Sequence, residues 1–207
     1  DRAGRIFAVE TGLSSDPAMN WRVSSLDRFA QISNSDSHSP YPWRLGRECN
    51  AFSFQAGGLS YPSLFKAIKE KDPSKFKFTL EVDPNYGKYH YDGHRACGVC
   101  LSPAQTKKLN GICPACRRPL TIGVQNRVDE LATRPEGYLP AGAIPFKTIL
   151  PLHELVSAVI SSPLSSKKVA AEADSLIAAF GSELEVLLNV PAQALLQKTG
   201  GKIADAI

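Results

Sequence analysis

Four of the five cysteines stand in two close pairs, and this spacing is typical of a metal site. Cys97 and Cys100 form the first pair and Cys113 and Cys116 form the second, in the pattern C-x2-C-x12-C-x2-C. Two residues between cysteines allow one tight turn to direct both sulfurs at a single tetrahedral centre. A shell of four thiolates leaves no position for water, so the pattern predicts one structural Zn²⁺. Cys49, the remaining cysteine, is predicted to be a half-buried thiol.

Basic side chains surround the cysteine pairs. They are Arg95, Lys107, Lys108, Arg117 and Arg118. Four thiolates around one zinc dication carry a net negative charge, which nearby cations would offset. The same cations would also suit the phosphates of a nucleic acid. Both interpretations stay open from the sequence.

Three further residues near the cysteines are candidates for contact with a nucleic acid. His90 and His94 are predicted either to bind phosphate or to support the zinc site through hydrogen bonds. Arg127 is predicted to contact a nucleic acid or to form an ion pair on a solvated helix face. We therefore carry all three residues forward as candidates.

A second set of potential metal ligands lies near the start of the chain. Asp36 and His38 follow a predicted strand within the polar run 34–40. If the chain is extended there, both side chains point to the same side. A carboxylate beside an imidazole suits a divalent metal that activates water and binds a phosphate. Glu10, at the end of the preceding predicted strand, is a third candidate.

The elements that carry these residues follow an α/β order at the start of the chain and a helical order at its end. Residues 5–10 and 29–33 are predicted strands with a short capped helix over 24–28 between them, which favours a parallel α/β unit. A helix over 61–71 and a strand over 77–82 follow. After a cysteine-containing stretch without helical periodicity, helices are predicted over 149–160, 166–180, 182–190 and 191–198.

The bulk properties are those of an ordinary globular protein. The 207 residues are 43% hydrophobic and 21% charged, which excludes disorder as the main state. We expect a cytoplasmic protein without membrane association, because the sequence has neither a signal segment nor a membrane-length apolar run. The chain starts without Met and ends in an apolar helical pattern, so we expect it to be a piece of a longer protein.

Two ordered groups of motifs resemble a known enzyme family. Residues 8–17 (AVETGLSSDP), 20–22 (NWR), 33–40 (SNSDSHSP) and 45–48 (LGRE) resemble the closing part of a polymerase-and-histidinol-phosphatase (PHP) domain. Residues 89–99 (YHYDGHRACGV), 112–116 (ICPAC) and 134–138 (RPEGY) resemble the attached zinc module of the endonuclease Q family. The resemblance covers most of the chain. It implies the C-terminal part of a (β/α)7 barrel over residues 1–82, a four-cysteine zinc module over 83–145 and a truncated helical region over 146–207.

The resemblance also implies a function. Members of the family nick DNA on the 5′ side of hypoxanthine, uracil or abasic sites with the help of divalent ions such as Zn²⁺, Mn²⁺ or Mg²⁺. Asp36 and His38 match the last metal-binding motif of the family, and Glu10 matches an acidic strand-end position. The opening His-x-His and the middle His and Glu ligands are absent here, so we expect this chain alone to be inactive.

Three functional classes stay open at this point. The first is a part of a DNA endonuclease, the second is a zinc-nucleated nucleic-acid-binding module, and the third is a phosphoesterase acting on a small metabolite. The basic and aromatic zinc region favours a polymeric substrate, because a small metabolite needs a closed pocket. DNA is therefore the expected partner.

Overall fold

The computed structural model describes residues 3–199 and 201–207, which form two compact units. The first unit contains the residues up to 36 together with 48–148, and the second contains 37–47 and 149–207. The predicted barrel portion and zinc module therefore fall largely within one unit. The three-part division at 82 and 145 stays a prediction.

Strands and helices are mixed up to residue 148, and only helices follow in the described part of the chain. The strands are β1 (Ala8–Glu10), β2 (Ala30–Ile32), β3 (Cys49–Phe52), β4 (Phe76–Glu81), β5 (Asp92–His94), β6 (Val99–Leu101) and β7 (Phe146–Thr148). The α-helices are α1 (Pro17–Trp21), α2 (Tyr61–Glu70), α3 (Pro103–Lys108), α4 (Val124–Leu131), α5 (Leu152–Ile160), α6 (Lys167–Phe180), α7 (Glu183–Leu188), α8 (Ala192–Thr199) and α9 (Gly201–Ala204).

The first unit begins with the predicted strand–helix–strand arrangement. β1 and β2 pair in parallel, and Glu10 lies opposite Ile32 in the register. Asp16 begins α1, because its carboxylate accepts a hydrogen bond of 2.7 Å from the Met19 amide. The predicted helix over 24–28 is a 3₁₀-helix over Ser24–Leu26 without a side-chain cap.

A second sheet forms the core of the first unit. Its strand order is β3-β4-β7, in which β3 is antiparallel to β4 and β7 is parallel to β4. Phe76 and Leu80 on β4 are almost fully buried. The described part of the chain thus contains separate small sheets, and no closed barrel is present among residues 3–199 and 201–207. The mixed α/β fold class is confirmed.

The second unit is a helical assembly around its own core. Leu152, Val156, Val169 and Leu176 are inaccessible to solvent in this core. Ser166 caps α6 by accepting a hydrogen bond from the Val169 amide. The apolar periodicity of the sequence therefore predicted these helices correctly, with boundaries that differ by a few residues. None of the helices in the described ranges is both long enough and apolar enough to span a membrane.

Candidate functional site

Three cysteines and one histidine form the clearest candidate metal site. The ligand atoms of His94, Cys97, Cys113 and Cys116 all lie within 4.8 Å of one another. The Nδ1 atom of His94 is 3.0 Å from the Cys97 sulfur and 3.3 Å from the Cys116 sulfur. Ligands at about 2.0–2.3 Å from a tetrahedral zinc lie about 3.3–3.8 Å apart, which is within a few tenths of an ångström of the two His94 distances, so the residues present fit the ion.

Cys100 lies outside this group, although the sequence pattern predicted it as a ligand. Cys100 is exposed and stands in the middle of β6, where neighbouring side chains point to opposite faces. In the β5–β6 pair it lies opposite Gly93, and His94 lies opposite Val99. The His94 ring therefore lies beside the sulfurs of Cys97 and Cys116, and Cys100 is not part of the group. The His-x2-Cys spacing of His94 and Cys97 was the available sequence signal for this arrangement.

Two left-handed residues shape the turns that carry the cysteines. Gly98 has a φ of 64° directly after Cys97, and Arg117 has a φ of 62° directly after Cys116. The Arg117 amide donates a 2.9 Å hydrogen bond to the Cys113 carbonyl, which closes the second turn. Hydrogen bonding with the neighbouring Cys116 thiol raises the pKa of Cys97 to about 11. A bound dication would favour the thiolates instead.

The candidate nucleic-acid contacts divide into accessible and inaccessible residues. Arg95, Arg117 and Arg118 are exposed. His90 is 5% exposed, and its Nδ1 atom donates a 3.0 Å hydrogen bond to the Ser14 carbonyl. This buried hydrogen bond favours a supporting role for His90, and its contact with a nucleic acid stays a prediction. Arg127 forms a 2.5 Å ion pair with Glu130 on the exposed face of α4.

A concave surface of about 350 Å³ adjoins the metal site. Tyr89, Tyr91 and Arg95 contribute to its wall, and the ammonium of Lys88 lies 4.8 Å from the centre of the Tyr89 ring. Tyr89 is 60% exposed. Exposed aromatic rings beside cations are typical of surfaces that bind nucleic acids.

The second candidate set lies at and after the ends of β1 and β2. Glu10 is exposed and accepts a 3.3 Å hydrogen bond from the Asn34 amide. Asp36 and His38 are also exposed, and Asp36 belongs to the first unit while His38 belongs to the second. Asp36 has a φ of 42°, so the chain is not extended there as the alternation argument required. Their joint role as metal ligands stays a prediction.

A buried carboxylate fixes the strand ends from which these candidates emerge. Glu81 is inaccessible to solvent and accepts hydrogen bonds of 3.0 Å from Thr11 and Ser33 and of 2.6 Å from Thr79. Thr11 directly follows β1 and Ser33 directly follows β2. Burial raises the pKa of Glu81, and the three hydroxyl groups partly oppose that rise. No local sequence signal could identify this residue, because two of its partners are distant along the chain.

Cys49 has the environment that the sequence predicted. It is half-buried on β3, and burial raises the pKa of its thiol. A thiol with a raised pKa is a weaker nucleophile at neutral pH. Cys49 is therefore not a candidate for chemistry.

Together, these features define an α/β protein with a Cys/His group that could hold a metal ion and a basic, aromatic surface beside it. The chain is similar in sequence and in fold to endonucleases of known structure. The chain is 31% identical to PfuEndoQ, a lesion-specific endonuclease from Pyrococcus furiosus, with a TM-score of 0.84 over 97% of this chain and 49% of that protein. It is 30% identical to an endonuclease Q solved in complex with a 27-mer duplex that carries an abasic lesion at the active site, with a TM-score of 0.86 over 97% of this chain and 50% of that chain. The predicted resemblance to endonuclease Q is confirmed.

Curated relatives and a family model agree with the structural similarity. The chain is 34% identical to MJ0043 of Methanocaldococcus jannaschii over 96% of this chain and 25% of that protein. It is 32% identical to YqxK of Bacillus subtilis over 98% of this chain and 47% of that protein. Residues 151–207 match the MJ0043 C-terminal domain family. The chain therefore spans half or less of the length of these relatives.

Proposed function

We propose that this chain is part of a metal-dependent DNA endonuclease that nicks DNA on the 5′ side of hypoxanthine, uracil or abasic sites. The observation that carries the proposal is the similarity, over 97% of the chain, to an endonuclease Q bound to a duplex with an abasic lesion at its active site. The chain covers only half of that protein. The proposed activity accordingly belongs to the longer protein of which this chain is a part.

Glu10, Asp36 and His38 are the proposed contribution of this chain to the catalytic metal site. Carboxylate and imidazole groups suit Zn²⁺, Mn²⁺ or Mg²⁺, which would activate water and stabilise charge on the phosphate. The chain has four histidines and no His-x-His sequence. Three exposed groups are too few to hold a catalytic metal cluster, so the chain alone should not cut DNA.

The proposed role of the His94–Cys97–Cys113–Cys116 group is structural. Four protein ligands complete a tetrahedral zinc shell and leave no position for water. The ion would then hold the turns that present Arg95, Arg117 and Arg118 to DNA. These three exposed arginines are the proposed phosphate contacts, since Arg127 already has Glu130 as a partner.

The proposed substrate also favours a location. The relatives come from Pyrococcus furiosus, Methanocaldococcus jannaschii and Bacillus subtilis, whose chromosomal DNA lies in the cytoplasm, so the proposed location is the cytoplasm. The concave surface beside the metal site, with its exposed tyrosine and cations, favours a polymeric substrate over a small metabolite.

An incision assay on the natural full-length protein tests this proposal. The substrates are end-labelled duplexes with one uracil, one hypoxanthine, one abasic site or no lesion, each incubated with Mg²⁺ or Mn²⁺. We expect a single nick 5′ of each lesion, an intact undamaged duplex and no cutting by the 207-residue chain alone.

Other outcomes would support the alternatives. Binding of all four duplexes without cutting under either metal condition would identify a binding module. Hydrolysis of p-nitrophenyl phosphate without incision of any duplex would indicate a phosphoesterase for small substrates.

A further inference from the structure

A side chain connects β2 to β3, although these two strands belong to different sheets. Asn50 lies on β3, and Ser33 directly follows β2. The Asn50 Oδ1 atom accepts a 2.9 Å hydrogen bond from the Ser33 amide, and its Nδ2 atom donates a 2.6 Å hydrogen bond to the Ser33 carbonyl. The Asn50 side chain thus forms the pair of hydrogen bonds that a neighbouring strand would otherwise supply.

Ser33 depends on Asn50 for these two hydrogen bonds. Ser33 is inaccessible to solvent, so bulk water cannot replace either partner. Only one orientation of the Asn50 amide satisfies both backbone groups, because its oxygen can only accept and its nitrogen can only donate. The Ser33 hydroxyl is held from the other side by the buried Glu81 carboxylate, at 3.0 Å. Ser33 is therefore a fixed starting point for the segment that follows it.

Asn34 extends the connection from Asn50 to Glu10. The Asn50 Nδ2 atom donates a 3.4 Å hydrogen bond to the Asn34 Oδ1 atom, and the Asn34 Nδ2 atom donates a 3.3 Å hydrogen bond to the Glu10 Oε1 atom. Because the oxygen of the Asn34 amide faces Asn50, its nitrogen faces the Glu10 carboxylate. Asn34 and Glu10 are exposed, whereas Asn50 is half-buried behind them.

This hydrogen-bonded chain ends at two of the proposed metal ligands. Glu10 accepts its last hydrogen bond, and Asp36 lies three residues after the fixed Ser33. In metal sites, the carboxylates that bind the ion are themselves held by hydrogen bonds from residues that do not touch the ion. These outer partners set the orientation of the ligands before the metal binds.

We infer that Asn50 and Asn34 are positioning residues for the proposed catalytic metal ligands. Asn50 fixes the start of the segment that carries Asp36, and Asn34 orients the Glu10 carboxylate. The inference rests on the proposed nuclease function, since without a metal ion at Glu10 and Asp36 the same hydrogen bonds would serve the fold alone.

Binding of Mn²⁺ to the natural full-length protein, measured by electron paramagnetic resonance, tests the inference without any cutting. Asn34→Ala should weaken Mn²⁺ binding about three- to tenfold, the effect of losing one hydrogen bond. Asn50→Ala should weaken it about ten- to hundredfold, as is typical for residues that support metal ligands. Incision 5′ of an abasic site should need correspondingly more Mn²⁺, and saturating Mn²⁺ should restore most of the rate.

A matched control exists for Asn34→Ala. Asn189 is also exposed, and it also donates a hydrogen bond to a glutamate, at 2.8 Å from the Glu185 carboxylate. Asn189 lies in the second unit, outside the proposed metal site. Asn189→Ala should therefore keep the Mn²⁺ affinity of the parent protein.

Two further variants separate hydrogen bonding at Asn50 from packing. Asn50→Leu has a similar size without polar atoms, so it should lose as much Mn²⁺ affinity as Asn50→Ala. Asn126→Ala is the control for a half-buried asparagine, because Asn126 donates a 2.6 Å hydrogen bond to the buried Asp92 carboxylate. It should leave Mn²⁺ affinity unchanged. Melting temperatures verify that each variant folds, and the exposed Asn34 provides the test if the Asn50 variants unfold.

Two results would overturn the inference alone. They are a parent protein that binds Mn²⁺ and cuts while Asn34→Ala and Asn50→Leu keep its Mn²⁺ dependence, and equal losses of Mn²⁺ affinity in the variants and their controls. A parent protein that neither binds Mn²⁺ nor cuts any lesion would refute the proposed function, and the inference would fall with it.

Discussion

Substitutions of the cysteines and of His94 should distinguish residues that bind the metal from a nearby cysteine that does not. Cys113 is fully buried among the ligand atoms, and Cys100 is exposed outside them. Structural zinc contributes about 10–16 kcal/mol of binding free energy, or roughly 3 kcal/mol for each of four ligands. Cys113→Ser should therefore reduce zinc affinity more than about a hundredfold. Cys100→Ser should change the free energy of unfolding by less than about 0.5 kcal/mol.

Competition with a chromophoric chelator measures the zinc affinity, and thermal unfolding with and without chelator measures the consequence for the fold. His94→Ala should lose zinc as severely as Cys113→Ser. The reasoning would be refuted if Cys100→Ser lost zinc while His94→Ala retained it. That result would restore the four-cysteine shell that the spacing alone predicts.

Three further predictions concern the buried carboxylate, the ion pair and the basic surface. Burial raises the pKa of Glu81, so its contribution to stability is present below the ordinary glutamate pKa of 4.5 and is lost as pH rises through the higher folded value. In urea titrations, Glu81→Gln should therefore flatten the decline in unfolding free energy that begins above that pH. Hydrogen bonding with Arg134 lowers the pKa of Asp27, so Arg134→Ala should lower the melting temperature at neutral pH, and this difference should shrink as pH falls below 4. If Arg117 and Arg118 bind phosphates, replacing both by Ala should reduce the salt dependence of duplex binding by about one to two units in the log–log slope, whereas unchanged slope with lower zinc retention would identify charge compensation instead.

The regular elements with strong local signals were predictable from the sequence. The parallel β1–β2 pair and α2 follow from apolar periodicity. The Ser60/Ser63 capping box and the left-handed Lys71 define the ends of α2. Two short helices were not predicted. Asp16 caps α1, and the capping box of Ser102 and Gln105 starts α3 inside a stretch that has no helical periodicity.

The sites were less predictable than the helices, because they depend on residues that are distant in sequence. β3 has only four residues and becomes a strand through pairing with β4. Glu81 is buried because Thr11 and Ser33 meet it from other strand ends. The cysteine spacing predicted a metal site in the part of the chain where the His/Cys group lies. The choice between Cys100 and His94 required the geometry of the β5–β6 pair.

The most direct test of the central claim is an incision assay on the natural full-length protein carrying Asp36→Ala, with Asp174→Ala as the matched control. Both carboxylates are exposed, and Asp174 lies on α6, outside the proposed catalytic set. Removing a ligand of the catalytic metal should reduce incision 5′ of an abasic site by about a thousandfold or more and leave DNA affinity nearly unchanged. The control should cut at the rate of the parent protein. Full incision activity in the Asp36→Ala protein would contradict the assignment of this chain to the catalytic part of a nuclease.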